Sequence, residues 1–269
     1  MRMKSTAGHP KAREYIENLA AAGRYHFGSA DARAALGVSP AAANAALHRV
    51  AKQGLIASPA RGFYVIVPPE YRSLGCLPPE QFIPALMGRQ GRSYYAGLLT
   101  AAQYHGAAHQ RPQEFQVFVE RKRRPLTCGK VRVAFMLRKR LQEVPVQKLN
   151  TPRGTLLVST PEATAIDLIG YQDHAGGLDQ VAMVVSELTE RLRPEELPTA
   201  AATAPIAWAQ RLGYLLEQVG ATEKATDLKV YVRERAREST ALLPGAPYED
   251  GRRDEGWKLW VNTDVEPLL

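Results

Sequence analysis

The helix starts and stops between residues 23 and 62 constrain this chain of 269 residues more than any other feature. Gly23, Ser29, Gly37, Ser39-Pro40, Gly54 and Gly62 follow one another at spacings that open or close short elements. A serine hydroxyl can accept from an unpaired N–H of a first helical turn, proline is tolerated at the first helical position, and glycine past the last turn ends the helix. These signals predict a helix over 10–22, with Tyr15, Ile16 and Leu19 on one face, and a short extended piece over 24–28. A second helix is expected over 30–36, capped by Ser29, with Asp31 near the positive end of its dipole. Gly37 ends it, and Ser39 caps a third helix over 40–53. Two short helices joined by a glycine-containing turn are the helix-turn-helix pattern. Leu55–Ser58 and Phe63–Val67 then read as strands around the turn Pro59-Ala60-Arg61-Gly62, which is a wing. Residues 1–69 are therefore expected to form a winged helix-turn-helix domain.

Residues 70–269 read differently, as a larger mixed domain. Helices are expected over 78–87, 93–109, 160–170, 177–191, 205–219 and 222–238, with 198–205 as a loop. Phe115–Val119 alternates as a strand, Val131–Leu137 is another, two more surround Gly154 within 144–160, and Trp257–Val261 is a terminal strand. Strands and helices without strict alternation place the whole chain in the α+β class.

Charge is unevenly spread. The chain carries a net charge of +8, and residues 1–69 hold nine Lys and Arg against three Asp and Glu. A basic small domain suits a polyanionic partner. The third helix is the reading element, because a helix fits the major groove of a duplex. Ala43, Ala46, Leu47 and Val50, three and four apart, pack inward, which turns Ala41, Ala42, Asn44, Ala45, His48, Arg49 and Lys52 outward. Asn44 offers the paired hydrogen bonds that adenine takes at N6 and N7, and the alanine methyls suit thymine methyls. His48 and Arg49 reach a guanine or a phosphate, and Lys52 a phosphate. Ser29 and Arg33 are expected where the second helix crosses the backbone, and Arg61 at the wing tip. A contact with another protein is the competing use of the same surface.

Enzyme signals are incomplete. Glu120-Arg121-Lys122 at a strand end resembles the carboxylate and lysine of a metal-dependent nuclease, but such a site also needs a preceding Asp. No Asp occurs between Asp31 and Asp167. Gly28-Ser29 with Asp31 lacks the further carboxylate pair of a nucleotidyltransferase. His105 and His109 lack the glutamate of a metalloprotease helix and read as surface histidines near a helix end. Cys76 and Cys128 have no zinc-ribbon spacing; a disulfide between them stays open, although a chain of this size does not need one. No catalytic residue, metal or cofactor is assigned. The polar start has no apolar leader segment, and no apolar run approaches the roughly 20 residues that span a bilayer, so a soluble cytoplasmic protein is expected. The basic run Arg121, Lys122, Arg123 and Arg124, with Lys130, Arg132, Arg138, Lys139 and Arg140, is either a solvated face or a second surface for nucleic acid or an acidic partner.

The order of segments resembles the AbiEi-type antitoxins of type IV (abortive-infection) toxin–antitoxin systems. The resemblance rests on LHRVAKQGLI at 47–56, GFYVIVP at 62–68, YYAGLLTAAQYHG at 94–106, STPEATAIDLI at 159–169, RLGYLLE at 211–217 and WKLWVN at 257–262. It implies a winged helix that represses its own operon at inverted repeats in double-stranded DNA. It also implies a C-terminal domain, 70–269, that counters a nucleotidyltransferase-like toxin without requiring a stable complex. On this chain Ser39, Asn44, His48, Arg49 and Lys52 become the DNA readers; Arg211, Tyr214 and the Arg121–Arg124 loop are the candidate neutralising surface. A metal-dependent nuclease targeted by a winged helix and a ligand-sensing transcription factor are the alternatives.

Overall fold

The structure, a computed structural model, describes residues 8–107, 112–247 and 251–265. The N-terminal part runs α1 (Gly8–Ala21), β1 (His26–Gly28), α2 (Ser29–Leu36), α3 (Pro40–Lys52), β2 (Ile56–Ala60) and β3 (Phe63–Ile66). Ser39 caps α3 as expected, its hydroxyl accepting from Ala42 N–H at 3.3 Å, with Pro40 first in the helix. The start of α2 differs. Gly28 is the N-cap, and the Asp31 carboxylate reaches back to accept from its N–H at 2.8 Å. Ser29 lies inside the helix, and its hydroxyl donates to the Gly62 carbonyl in the wing turn at 3.3 Å. The three strands form an antiparallel sheet in the order β1-β3-β2. This order of elements fits the winged helix-turn-helix expected from the sequence.

The chain then continues through α4 (Ile83–Arg89), β4 (Tyr94–Ala96), α5 (Leu98–Tyr104), β5 (Phe115–Val119), β6 (Leu126–Cys128), β7 (Val131–Leu137), β8 (Val146–Thr151) and β9 (Gly154–Ser159). These strands make a six-stranded mixed sheet in the order β6-β7-β5-β4-β9-β8. Side chains of a strand alternate between its faces, and in the central strands β5, β4 and β9 both faces are buried. Tyr95, Phe118 and Met136 point into a helical layer, whereas Tyr94, Ala96, Val117, Val119, Val131 and Val133 point the other way. That second face packs on Phe82, Ile83, Leu86 and Met87 around α4 and on Phe63 and Val65 of the wing. The wing is two-sided as well, since Ile56 and Ile66 join Phe27, Ala43, Leu47 and Val50 in a separate core under α3.

The helical layer comprises α6 (Pro161–Gly170), α7 (Leu178–Leu188), α8 (Leu197–Ala201), α9 (Ile206–Gln218) and α10 (Thr226–Arg235). Every residue of α6 from Glu162 to Ile169 is buried. A helix closed off all round is a central one, and α6 touches β9, α5, α7, α8 and α9. A small sheet ends the chain, with β10 (Thr240–Ala241) parallel and β11 (Arg252–Asp254) antiparallel to β12 (Leu259–Val261). The indole of Trp257, fully buried before β12, lies against Gly213 of α9, where an added Cβ would stand 2.0 Å from the ring. Only glycine permits that approach, which joins the RLGYLLE and WKLWVN segments.

Several sequence expectations need correction. The helix expected over 93–109 is instead β4 followed by α5, because Tyr94–Ala96 pairs with Val117–Val119 and reaches Val158 of β9. Ladder pairing overrides the local preference of an alanine-rich stretch. The loop expected over 198–205 contains most of α8. Residues 79–81 form a 3-10 turn before α4, and 222–225 another before α10. The terminal strand is shorter than expected, since Trp257 and Lys258 form a turn. His105 is buried rather than superficial, with Nε2 2.8 Å from the Ser159 carbonyl, and burial pushes its pKa below the usual value. His109 lies outside the described residues.

One buried polar cluster sits where the sheet meets α6. The Asp167 carboxylate accepts from the Tyr95 hydroxyl at 2.7 Å and from Arg138 Nε at 3.0 Å. Arg138 also donates to the Thr203 carbonyl at 3.1 Å and to the Thr203 hydroxyl at 3.2 Å, and its guanidinium lies 5.1 Å from the Trp208 ring centre. Burial pushes the Asp167 carboxyl up to about 6, against the opposing pull of Arg138 and Tyr95. Burial likewise pushes the Tyr95 hydroxyl up. Removing one partner of a buried ion pair strands the other charge and costs about 3–5 kcal/mol. Arg138→Met is therefore expected to lower unfolding free energy by about that much at pH 7. The variant loses the group that holds the Asp167 pKa down, so its carboxyl protonates at still higher pH. Its deficit should shrink on acidification to pH 5, below the Asp167 pKa of both proteins, where the parent chain has lost its ion pair as well. Urea unfolding at both pH values checks this, and an equal deficit at both would contradict it.

Candidate nucleic-acid interface

Helical spacing decides what α3 presents. Ala43, Ala46, Leu47 and Val50 are buried, and Ala41, Ala42, Asn44, Ala45, His48, Arg49 and Lys52 are exposed. The helix contains no acidic residue, so its outer face is an amide followed by cationic and imidazole groups. Arg33 on α2 is exposed, and so is Arg61 in the wing turn. No salt bridge is found for Arg33, Arg49, Lys52 or Arg61 among the described residues, which leaves four guanidinium and ammonium groups open to solvent. Asp31, the acidic group at the start of α2, faces Arg24 at 3.4 Å and Arg89 at 3.7 Å. Its charge is thus offset by side chains outside α3.

Of the expected DNA contacts, Ser29 and Ser39 carry structural hydrogen bonds. Ser29 is partly buried and fixes the wing turn to α2, and Ser39 is exposed and holds the first turn of α3. The segments that lead into β1 and away from the wing are braced by Arg153. Its guanidinium lies 3.9 Å from the Tyr25 ring centre and 5.8 Å from that of Tyr71, and it donates to Gln81. Nothing in the spacing of the sequence pointed to Arg153, because its partners come from three separated segments.

The basic run of the larger domain does not form one surface. Arg121, Lys122 and Arg124 are exposed. Arg123 is partly buried, stacked 4.6 Å from the Phe135 ring centre, and it donates to Gln90. Arg138 is wholly enclosed by the Asp167 cluster, and Arg140 pairs with Glu143. Arg211 and Tyr214 do not form an open surface. Arg211 donates to the Ala241 carbonyl at 2.8 Å and to Thr240 at 3.2 Å, bracing the terminal sheet, and Tyr214 is buried, its hydroxyl meeting Arg252 at 3.2 Å. Glu120, the carboxylate of the nuclease alternative, accepts from Gln142 at 2.7 Å. Among the described residues no group of three or more His, Cys, Asp or Glu could hold a metal ion, and no helix is long and apolar enough to cross a membrane.

Comparison with known proteins places this architecture. The family model described as AbiEi antitoxin C-terminal domain matches residues 95–218, and the one described as Transcriptional regulator, AbiEi antitoxin matches residues 14–67. The chain belongs to the AbiEi antitoxin family. The first match spans β4 to α9, thus the six-stranded sheet and most of the helical layer, and the second spans α1 to the end of the wing. The crystal structure of the RV2827C protein from Mycobacterium tuberculosis is similar in fold, with a TM-score of 0.69 and 17% identity over 95% of this chain and 94% of that one. No curated protein sequence gives a significant match. For this AbiEi-family chain, Ser39→Ala tests whether the serine is mainly a cap. Loss of an N-cap hydroxyl costs roughly 1 kcal/mol, so a drop of that size in thermal or urea stability is expected without any DNA present. Unchanged stability would reassign Ser39 from cap to surface.

Proposed function

We propose that this protein is a DNA-binding autorepressor whose C-terminal domain counters a nucleotidyltransferase-like toxin. The observation that carries the reading is the open face of α3, where Asn44, His48, Arg49 and Lys52 project to solvent with no acidic side chain among them. In this reading α3 lies in the major groove, Asn44 reads adenine, and Arg49 and Lys52 meet a guanine edge or the phosphates. In the same reading Arg33 of the second helix and Arg61 of the wing turn, both exposed, meet the phosphate backbone. Two copies on an inverted repeat give the symmetry of an operator in the protein's own control region. We place the functional boundary between 69 and 70, with antitoxin activity assigned to 70–269. Arg121, Lys122 and Arg124 are the exposed part of the candidate neutralising surface.

Base readers and phosphate anchors fail differently. Asn44→Ala should weaken binding to the operator by roughly 1–3 kcal/mol and leave non-specific binding unchanged. Lys52→Ala should weaken both and reduce the salt slope of binding by about 1. Gel-shift titrations against operator and random duplex at several salt concentrations separate them; equal operator affinity for Asn44→Ala and the parent would remove Asn44 from the reading face.

The two activities should also separate in cells. Co-expression of Asn44→Ala with a nucleotidyltransferase-like toxin that the parent chain neutralises should restore growth as fully as the parent chain does, while repression of an operator-driven reporter falls. Loss of growth rescue together with repression would sink the division of labour.

A further inference from the structure

The chain has two cysteines, and the fold brings them together although 51 residues separate them in sequence. Cys76 follows the wing in the connector, and Cys128 ends β6. The segments around them are tied by the Lys130 N–H, which donates to the Leu74 carbonyl at 2.8 Å. Gly75 and Gly129 meet between them. An added Cβ on Gly129 would stand 2.9 Å from the Gly75 Cα and 2.3 Å from the Leu74 carbonyl oxygen, and Gly129 sits at a φ of +58°. No side chain fits there, so the two backbones run in contact and each cysteine is the neighbour of a touching glycine. The two thiols are close enough for each to shift the other's ionisation, and both belong to the apolar layer under Phe63 and Val65 of the wing. The backbone N–H of Ser58 in β2 also lowers the Cys128 pKa, and β2 of the wing lies against β6, which Cys128 ends.

We infer that Cys76 and Cys128 form a reversible intramolecular disulfide, a modification site that fastens the connector after the wing to the sheet on which the wing rests. Backbones in contact meet the demand of a disulfide for closely spaced Cα atoms, which excludes most cysteine pairs. Cys128 is the entry point. It is 8% exposed against 0% for Cys76, and the neighbouring thiol and the Ser58 N–H lower its pKa whereas that of Cys76 is raised. An open cleft of about 700 Å³ is walled in part by Leu74, Lys130 and Val131, which lie two or three positions along the chain from the two cysteines.

The oxidant is a low-molecular-weight disulfide. The Cys128 thiolate attacks one of its sulfurs, the S–S bond breaks, and one small thiolate leaves, giving a mixed disulfide. The Cys76 sulfur, having given up its proton, then attacks Cys128 and expels the second small thiolate. The protein dithiol loses two electrons, the small disulfide gains them, and the two protein protons end on the two released thiols.

The test is incubation of the folded, full-length protein with oxidised glutathione, followed by intact-mass measurement, thiol counting and non-reducing peptide mapping. The expected product is monomeric, lighter by two hydrogens, without free thiols, and yields one cross-linked peptide pair holding Cys76 and Cys128; dithiothreitol restores both thiols. Cys76→Ser should stop at the mixed disulfide on Cys128, because the resolving sulfur is gone. A parent protein that also stops at glutathionylated Cys128 would overturn the inference. So would one whose thiols both stay free when folded yet oxidise once the chain is denatured. None of these readouts involves DNA or a toxin, so the result stands apart from the proposed function.

Discussion

Burial of both faces of the central strands of the six-stranded sheet is the constraint on which the rest of the structure depends. The alternation of β5 puts Phe118 into the helical layer and Val117 and Val119 into the layer shared with α4 and the wing. A slip of one residue would exchange the two sets, and each would meet the wrong partners. The wing repeats the device on a smaller scale, giving Phe63 and Val65 to the sheet and Ile66 to the core under α3. The three layers are therefore coupled through shared side chains. The pose of the outer face of α3 follows from packing that reaches back to the middle of the chain.

Charge follows the same division. Where a cation is enclosed, as Arg138 is, it is matched by Asp167, Tyr95 and Thr203, because an unmatched buried charge costs several kcal/mol. Where cations stand on α2, α3 and the wing turn, they face water, at little cost to the fold, and are free to meet a polyanion. Arg138 and Arg49 look alike in a charge count. Only burial separates a side chain that holds two layers together from one that can leave its counter-ions for a phosphate.

Local signals were legible where local physics decides. Ser39, Pro40, Gly37 and the spacing of Ala43, Ala46, Leu47 and Val50 placed α3 and its outward face, because capping and helical periodicity act within a few residues. The strand at 115–119 was legible from its alternation. Tyr94–Ala96 was not, since its strand state comes from pairing with β5 and β9 rather than from its own composition. Ser29 illustrates the same limit. Its sequence suits a cap, yet Asp31 takes that role and the hydroxyl is drawn across to Gly62, 33 positions away.

By itself, then, the sequence determined the order of short helices and wing, the basic bias of the first 69 residues, the α+β class and the set of side chains turned out from the third helix. Each of these rests on interactions between residues close in the chain. The tertiary structure alone decided that Arg138 and Tyr214 are internal, that Arg123 and Arg211 are tied down and partly buried, that Arg153 reaches Tyr25, and that Cys76 lies beside Cys128. Those contacts join segments tens of residues apart, and no spacing rule carries information about a neighbour that exists only once the sheet has closed over both its faces.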